Sequence, residues 1–141
     1  MENRYLYRAK RIDNGKWVIG YLSDPCCTKK GDESYYFYAK DSLEFYYRCI
    51  VSASTICQCT GRTDRDKAMI FEHDVVAYLD RYSTDNGYAE VDCSGEVIWD
   101  DETLSFQVTD RMSAESWEVL DGECKVLGNT IDNPELLEVQ S

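Results

Sequence analysis

The stretch Phe71-Glu72-His73-Asp74-Val75 holds the one histidine of a 141-residue chain, with a carboxylate on each side. An imidazole oriented by a carboxylate is a common general base. Such a base also needs a nucleophile or a metal to act on. Adjacent side chains of an extended strand leave opposite faces, so Glu72 and Asp74 share a side with each other more readily than with His73. A corner explains the same residues. Met69-Ile70-Phe71 and Val75-Val76-Ala77-Tyr78-Leu79 read as short strands, and Asp74 can accept a nearby backbone N–H in an Asx-type turn. His73 then takes a left-handed conformation, which histidine tolerates better than most residues and glycine best of all. The corner is the preferred reading, and no catalytic residue is assigned.

Two further carboxylates, Asp100 and Asp101, form an acidic turn with Glu102. They join Glu72, His73 and Asp74 as the candidate binding residues, and clustered carboxylates of this kind could take a cation. The seven cysteines, Cys26, Cys27, Cys49, Cys57, Cys59, Cys93 and Cys124, include two close pairs. Neither pair has the two-residue gap with which thiolates grip one zinc in a knuckle. An odd count without a secretory signal argues for reduced, partly buried thiols rather than a disulfide framework. No metal and no cofactor is expected, and there is no Gly-rich phosphate loop.

These groups must be positioned by strands. The stretch 4–22 reads as a hairpin reversing at Asp13-Asn14-Gly15. Gly20 inside its second arm marks a bulge or a close backbone approach. Residues 23–34 read as a polar loop, 35–40 as an aromatic strand, and 41–51 as another strand with a helical turn at its start. Thr60-Gly61 reads as a turn and 80–94 as an exposed loop or long hairpin. The stretch 95–108 is a clear hairpin, with Val97 and Trp99 facing one way and Leu104, Phe106 and Val108 continuing the alternation. Residues 113–118 lean to helix or irregular structure, Asp121-Gly122 signals a tight turn, and 124–127 is a strand. Asn133-Pro134-Glu135 begins a short C-terminal helix, with Asn133 as its cap. The fold class expected is all-β: one domain over 1–141, a small barrel of short antiparallel strands with a minor helical element and a C-terminal helical turn.

Composition agrees. Apolar residues are 43% and aromatics 13% of the chain, with 11 tyrosines, a globular and strand-favouring mix. The net charge is −12 and is unevenly spread. Residues 1–70 carry 12 Lys+Arg and 9 Asp+Glu, whereas 71–141 carry 3 and 18. So acidic a second half argues against direct binding to a nucleic-acid backbone. It suits a soluble surface or a contact with a basic partner. The first residues lack an apolar signal region, and no apolar run reaches membrane-spanning length, so a cytoplasmic protein is expected.

The stretch "QCTGRTDRDKAMIFEHDVV" resembles the Q-x-T-G…D…I-F-E-G-D-[IV]-V signature of the YopX-like family of bacteriophage and prophage proteins. "YRAKRIDNGKWVIGYL" resembles that family's opening strands, "GEVIWDDETLSFQV" its G-x-V-x-W hairpin, and "KVLGNTIDNPELL" its closing V-I-G-N-I-x-[ED]-N-P-E-L-L. The chain departs from the pattern in places. Cys59 replaces an aromatic, Arg62 a leucine, Lys67-Ala68 a turn containing glycine, and His73 the glycine of E-G-D. The resemblance implies a mainly β, barrel-type domain and carries over no catalytic residue. Its recurrent positions fall here on Gly20, Thr60, Gly61, Glu72 and Asp74 in the first part, and on Trp99, Gly128, Asn129, Asn133 and Pro134 in the second. Most are turn makers, caps and core aromatics, which suits a scaffold better than an enzyme.

The expected function is a non-enzymatic module that binds a host or phage protein in the bacterial cytoplasm. The first alternative is an oligomeric accessory or structural phage component whose basic and acidic halves meet between copies. The second is a metal-dependent enzyme acting on a phosphate-containing ligand through Glu72, Asp74, Asp100 and Asp101.

Overall fold

The structure is a computed structural model that describes residues 5–26, 33–109, 114–115 and 123–137. Regular structure in them is antiparallel strand apart from short 3-10 turns such as Ala53–Thr55 and Pro134–Leu137, and there is no α-helix among the described residues. No helix among them is long and apolar enough to cross a membrane. The chain divides into two compact units, Met1–Gly61 and Arg62–Ser141.

The first unit is built from β1 (Tyr7–Lys10), β2 (Trp17–Cys26), β3 (Ser34–Lys40), β4 (Tyr46–Ser52) and β5 (Cys57–Thr63), in the spatial order β4-β3-β2-β1-β5. The predicted first hairpin is present. Gly15 lies at φ 68°, Asn14 Oδ1 accepts the Lys16 N–H at 2.9 Å, and the Arg11 N–H closes onto the Lys16 carbonyl at 3.0 Å. Gly20 marks a close approach, since a Cβ there would run into the Tyr38 carbonyl oxygen on β3. The bulge lies further on, between Leu22 and Pro25, and β2 continues to Cys26 into the predicted loop. The predicted 41–51 strand begins only at Tyr46. Before it, Asp41 Oδ1 accepts the N–H groups of Leu43 and Phe45 at 2.9 and 3.0 Å, making a turn rather than a helical start. Thr60-Gly61 falls inside β5 rather than in a turn, with Gly61 at φ 83°.

Alternate residues of these strands face inward. Ala9, Phe37, Ala39, Cys49 and Val51 form the buried core, with Tyr7, Val18, Leu22 and Tyr47 packed against it. The sheet curls so that Arg11 bridges Val51 and the Ile12 N–H reaches the Ile50 carbonyl at 3.0 Å.

The end of β5 turns back at Asp64–Ala68 toward β6 (Met69–Phe71). The second unit's sheet contains β7 (Asp74–Thr84), β8 (Gly87–Asp100), β9 (Ser105–Thr109), β10 (Ala114–Glu115) and β11 (Lys125–Asn129), in the order β10-β9-β8-β7-β11. The stretch 80–94 is a long hairpin, with continuous pairing from Val75↔Glu96 to Thr84↔Gly87. The 95–108 hairpin pairs Val97 with Val108 and Trp99 with Phe106, whose rings meet edge to face at 5.1 Å. Ala114 and Glu115 pair with Thr109 and Val108, which corrects the helical or irregular expectation at those two positions. The rest of 113–118 and Asp121-Gly122 lie outside the described residues. The core gathers Ile70, Val76, Tyr78, Val97, Val108 and Cys124.

The all-β class therefore holds, but neither sheet closes into the expected barrel. The first touches its own edge at one bridge, and the second runs open from β10 to β11. Period-two patterning specifies which face of a strand is buried. It carries no information on whether the outer strands meet.

Candidate functional site

The Glu72-His73 pair is a two-residue corner between β6 and β7. His73 lies at φ 71°, in the left-handed region the sequence predicted. Its backbone is held at both ends: the N–H donates to the Val97 carbonyl at 2.7 Å, and its carbonyl accepts the Thr130 N–H at 2.9 Å. Asp74 is 1% exposed, and its Oδ2 accepts the Phe71 N–H at 2.8 Å. Asp74 thus closes the corner by bonding three residues back, where the sequence reading expected an Asx-type turn.

Two residues that sequence reasoning missed complete the corner. His73 Nδ1 donates to Glu96 Oε2 at 2.9 Å, and Thr130 Oγ1 donates to the same oxygen at 2.9 Å. The His73 bond holds the Glu96 carboxyl below its ordinary range; burial pushes it up, and the Thr130 bond adds to the lowering. A hydroxyl–imidazole–carboxylate relay needs the imidazole in the middle. Here the carboxylate is in the middle, so the Thr130 hydroxyl is bonded to the acid rather than to the base. The trio fastens β7, β8 and the segment after β11 together. Partners 23 and 34 residues apart leave no local sequence signal.

A second missed carboxylate does similar work. Asp64, 5% exposed, accepts from Asp66 and Ala68 N–H through Oδ1, both at 2.9 Å, and from Val126 N–H through Oδ2 at 3.0 Å. Burial pushes its carboxyl up, but the backbone donors of Val126, Ala68 and Asp66, with Lys125 nearby, outweigh this and hold it low. Lys67 in this turn lies at φ 67°. Lys67, in the pair that replaces a glycine-containing turn, and His73, at the glycine of E-G-D, therefore both stand in the left-handed region.

Asp100 and Asp101 belong elsewhere. Asp100 lies four residues beyond Glu96 on β8, roughly 13 Å away at the usual strand rise. Its Oδ1 accepts the Glu102 N–H at 2.9 Å, and Asp101 Oδ1 accepts the Trp99 indole N–H at 2.9 Å. The five predicted residues thus divide into a corner and a hairpin tip, and each tip carboxylate is engaged in its own turn. Among the described residues no group of three or more His, Cys, Asp or Glu side chains is arranged to hold a metal ion. Six of the seven cysteines are described, none of them in a disulfide, and burial pushes the Cys49 thiol up.

The first unit presents a different kind of surface. Directly opposed residues of antiparallel strands share a face, so the register traces one sheet face up to the bulge in β2. Arg8 lies opposite Ile19, and Lys10 opposite Trp17. Tyr21 lies opposite Tyr38, and Tyr38 opposite Arg48, while Tyr36 pairs with Ile50 and Lys40 with Tyr46. These positions face outward except at Arg8, which is covered where it lies opposite the buried Cys57 on β5, and not one carries a carboxylate. Cations lie over rings across the face: Arg8 over Trp17 at 5.0 Å, Arg48 over Tyr36 at 4.7 Å, and Lys40 over Tyr46 at 6.0 Å. Where the sheet curls, a groove of about 490 Å³ opens between Arg11, Ile12, Asp13, Tyr36, Arg48, Cys49 and Ile50, and Asp13 is its one carboxylate. The sequence marked 35–40 as an aromatic strand, but only the register shows which tyrosines share a face.

Fold and site define an all-β protein of two antiparallel-sheet units, in which buried carboxylates fasten turns and one sheet face is aromatic and cationic. A family model described as YopX protein matches residues 6–138, and the chain belongs to that family. No curated protein matches it.

Proposed function

We propose that the protein is a non-enzymatic module that binds another protein through the outer face of its first sheet, as a phage- or prophage-type protein working in the bacterial cytoplasm. The observation that carries this reading is the make-up of that face. Tyrosine, tryptophan and arginine are the residues that dominate binding energy at protein interfaces, while acidic residues are depleted there. Tyr38, Tyr46, Ile19 and Ile50 are exposed on the face although each is large and apolar. Exposed apolar groups gathered on one face, rather than scattered, mark an interaction surface.

The test compares wild type with Tyr38→Ser and Ile50→Ser as bait in bacterial lysate, at low and moderate salt. Both changes are on the outer face, so the melting temperature should hold within a few degrees. A partner retained by wild type and lost by both variants is expected. A partner held equally by all three would place binding elsewhere.

The charge division favours one second reading, head-to-tail association of copies. Met1–Gly61 carries 9 Lys+Arg against 7 Asp+Glu, and Arg62–Ser141 carries 6 against 20. Light scattering at low and high salt decides it: a monomer under both conditions leaves only the first reading.

A further inference from the structure

β4 is an edge of the first sheet, and its backbone polarity can be read residue by residue. The Asp41 N–H bonds the Phe45 carbonyl, and the Ala53 N–H bonds the Glu33 carbonyl, so odd-numbered residues of this strand turn their backbone groups toward β3. Even-numbered residues turn theirs outward. Ile50 confirms the parity, because its carbonyl meets Ile12 on the far side. Tyr46 and Arg48 therefore direct two N–H and two C=O groups away from the sheet. Among the described residues no backbone group bonds them there.

An open strand edge is a template for another strand, and natural proteins blunt such edges with charge, proline or bulges. This edge has neither proline nor bulge over Tyr46–Arg48. What flanks it is chemically specific. Arg48 lies over Tyr36 and makes no ion pair among the described residues. The groove between Ile12, Tyr36 and Ile50 continues from the edge; Arg11 and Asp13 both border it and are tied to each other at 2.9 Å, which leaves Arg48 as its uncompensated charge. At the other end, Leu43 and Phe45 are exposed beside the strand.

We infer that the β4 edge receives an extended acidic segment of a partner protein, which adds as a strand beside Tyr46 and Arg48 and lays its apolar side chains in the groove at Ile12, Tyr36 and Ile50. Main-chain bonds to Tyr46 and Arg48 supply the pairing, and alternate side chains supply the specificity. An acidic side chain answers the Arg48 guanidinium, which binds carboxylates bidentately. A second copy pairing β4 against β4 through these groups would set Arg48 opposite Tyr46 and offer its guanidinium no carboxylate, so an acidic segment is the better complement. The inference rests on the protein-binding reading and names the partner's chemistry.

A random twelve-residue peptide library selected on the whole protein tests it. Enriched peptides should be acidic with alternating apolar residues. A fluorescein-labelled winner should lose at least tenfold in affinity when its Glu and Asp become Gln and Asn, when alternate backbone nitrogens are methylated, and with Arg48→Glu. Arg65→Glu, an exposed charge change in the second unit, should leave it unaffected. A winner that responds to Tyr38→Ser but to neither Arg48→Glu nor methylation would overturn strand addition and leave the protein-binding face intact. A winner indifferent to every face variant would overturn both, and a library without enrichment would overturn strand addition. A (dT)12 oligonucleotide bound more tightly than any peptide, and released by Arg48→Glu, would assign the edge to nucleic acid instead. Concentration-dependent dimers lost with Arg48→Glu would assign it to a second copy.

Discussion

At Lys67 and His73 the backbone takes a conformation that side chains with a Cβ disfavour by roughly 1–2 kcal/mol. Lys67 sits in the Asp64 turn at φ 67°, and His73 in the β6–β7 corner at φ 71°. Glycine relieves the clash but adds freedom to the unfolded chain, so the two effects partly cancel. Lys67→Gly should therefore stabilise by about 0.5–1 kcal/mol. His73→Gly removes the same strain together with the bond to Glu96, a half-exposed contact worth about 1 kcal/mol, and should come out near neutral. Urea midpoints of the two variants check this, and their difference reports what the imidazole contributes. A destabilised Lys67→Gly would sink the strain argument. A loss above about 2 kcal/mol in His73→Gly would mean that the ring holds the corner together. The left-handed position at His73 was legible in the sequence, because a resemblance that places glycine there states a backbone requirement; for Lys67 it pointed only to a turn, and the structure supplies the φ of 67°. What the imidazole touches was not legible, because Glu96 lies on another strand.

Elements of the second unit are fastened by carboxylates acting across long sequence separations. Asp64 connects the turn before β6 to Val126 on β11, and Glu96 connects β8 to His73 and to Thr130. Both carboxyls titrate below their ordinary values of 3.8 and 4.5 in the folded protein. A folded-state pKa below the unfolded one contributes stability above the unfolded value, and that stability is lost as pH falls through the folded value. Through Glu96 and Asp64, stability should therefore fall as the pH drops below about 4.5. Thermal melts from pH 7 to pH 3 measure it. Glu96→Gln should begin less stable and fall less steeply, and an unchanged acid limb in that variant would remove Glu96 from the account. The strands themselves were largely legible. Alternation located the 4–22 and 95–108 hairpins, and turn residues such as Gly15 placed the first reversal. Closure was not legible, because nothing in the alternation of β4 or β11 says whether that strand finds a neighbour. Nor was β10 legible, where a possible helix cap at Ser113 competed with a strand of only two residues, Ala114–Glu115.

At the scale of the whole molecule, the charge division that suggested an acidic half acquires a boundary. The carboxylate excess belongs to the unit Arg62–Ser141, with 20 Asp+Glu against 6 Lys+Arg. Only one surface pair within it, Lys125 with Asp66 at 4.0 Å, is a Lys–carboxylate bridge among the described residues. Exposed pairs of this kind contribute at most about 1 kcal/mol. With 20 acids against 6 bases, repulsion in this unit outweighs attraction, and it is relieved when the chain expands. Raising NaCl shortens the screening length from roughly 30 Å at 0.01 M to about 10 Å at 0.1 M, which weakens distant repulsion more than contacts inside the His73–Glu96–Thr130 cluster. The melting temperature at pH 7 should accordingly climb by several degrees over that range and then flatten. A relief of about 1 kcal/mol would suffice for a shift of that size. Differential scanning calorimetry at matched pH checks it, with sucrose as an uncharged control. A melting temperature that fell with added salt would show that attractive ion pairs, rather than the excess of carboxylates, dominate the electrostatics of the second unit.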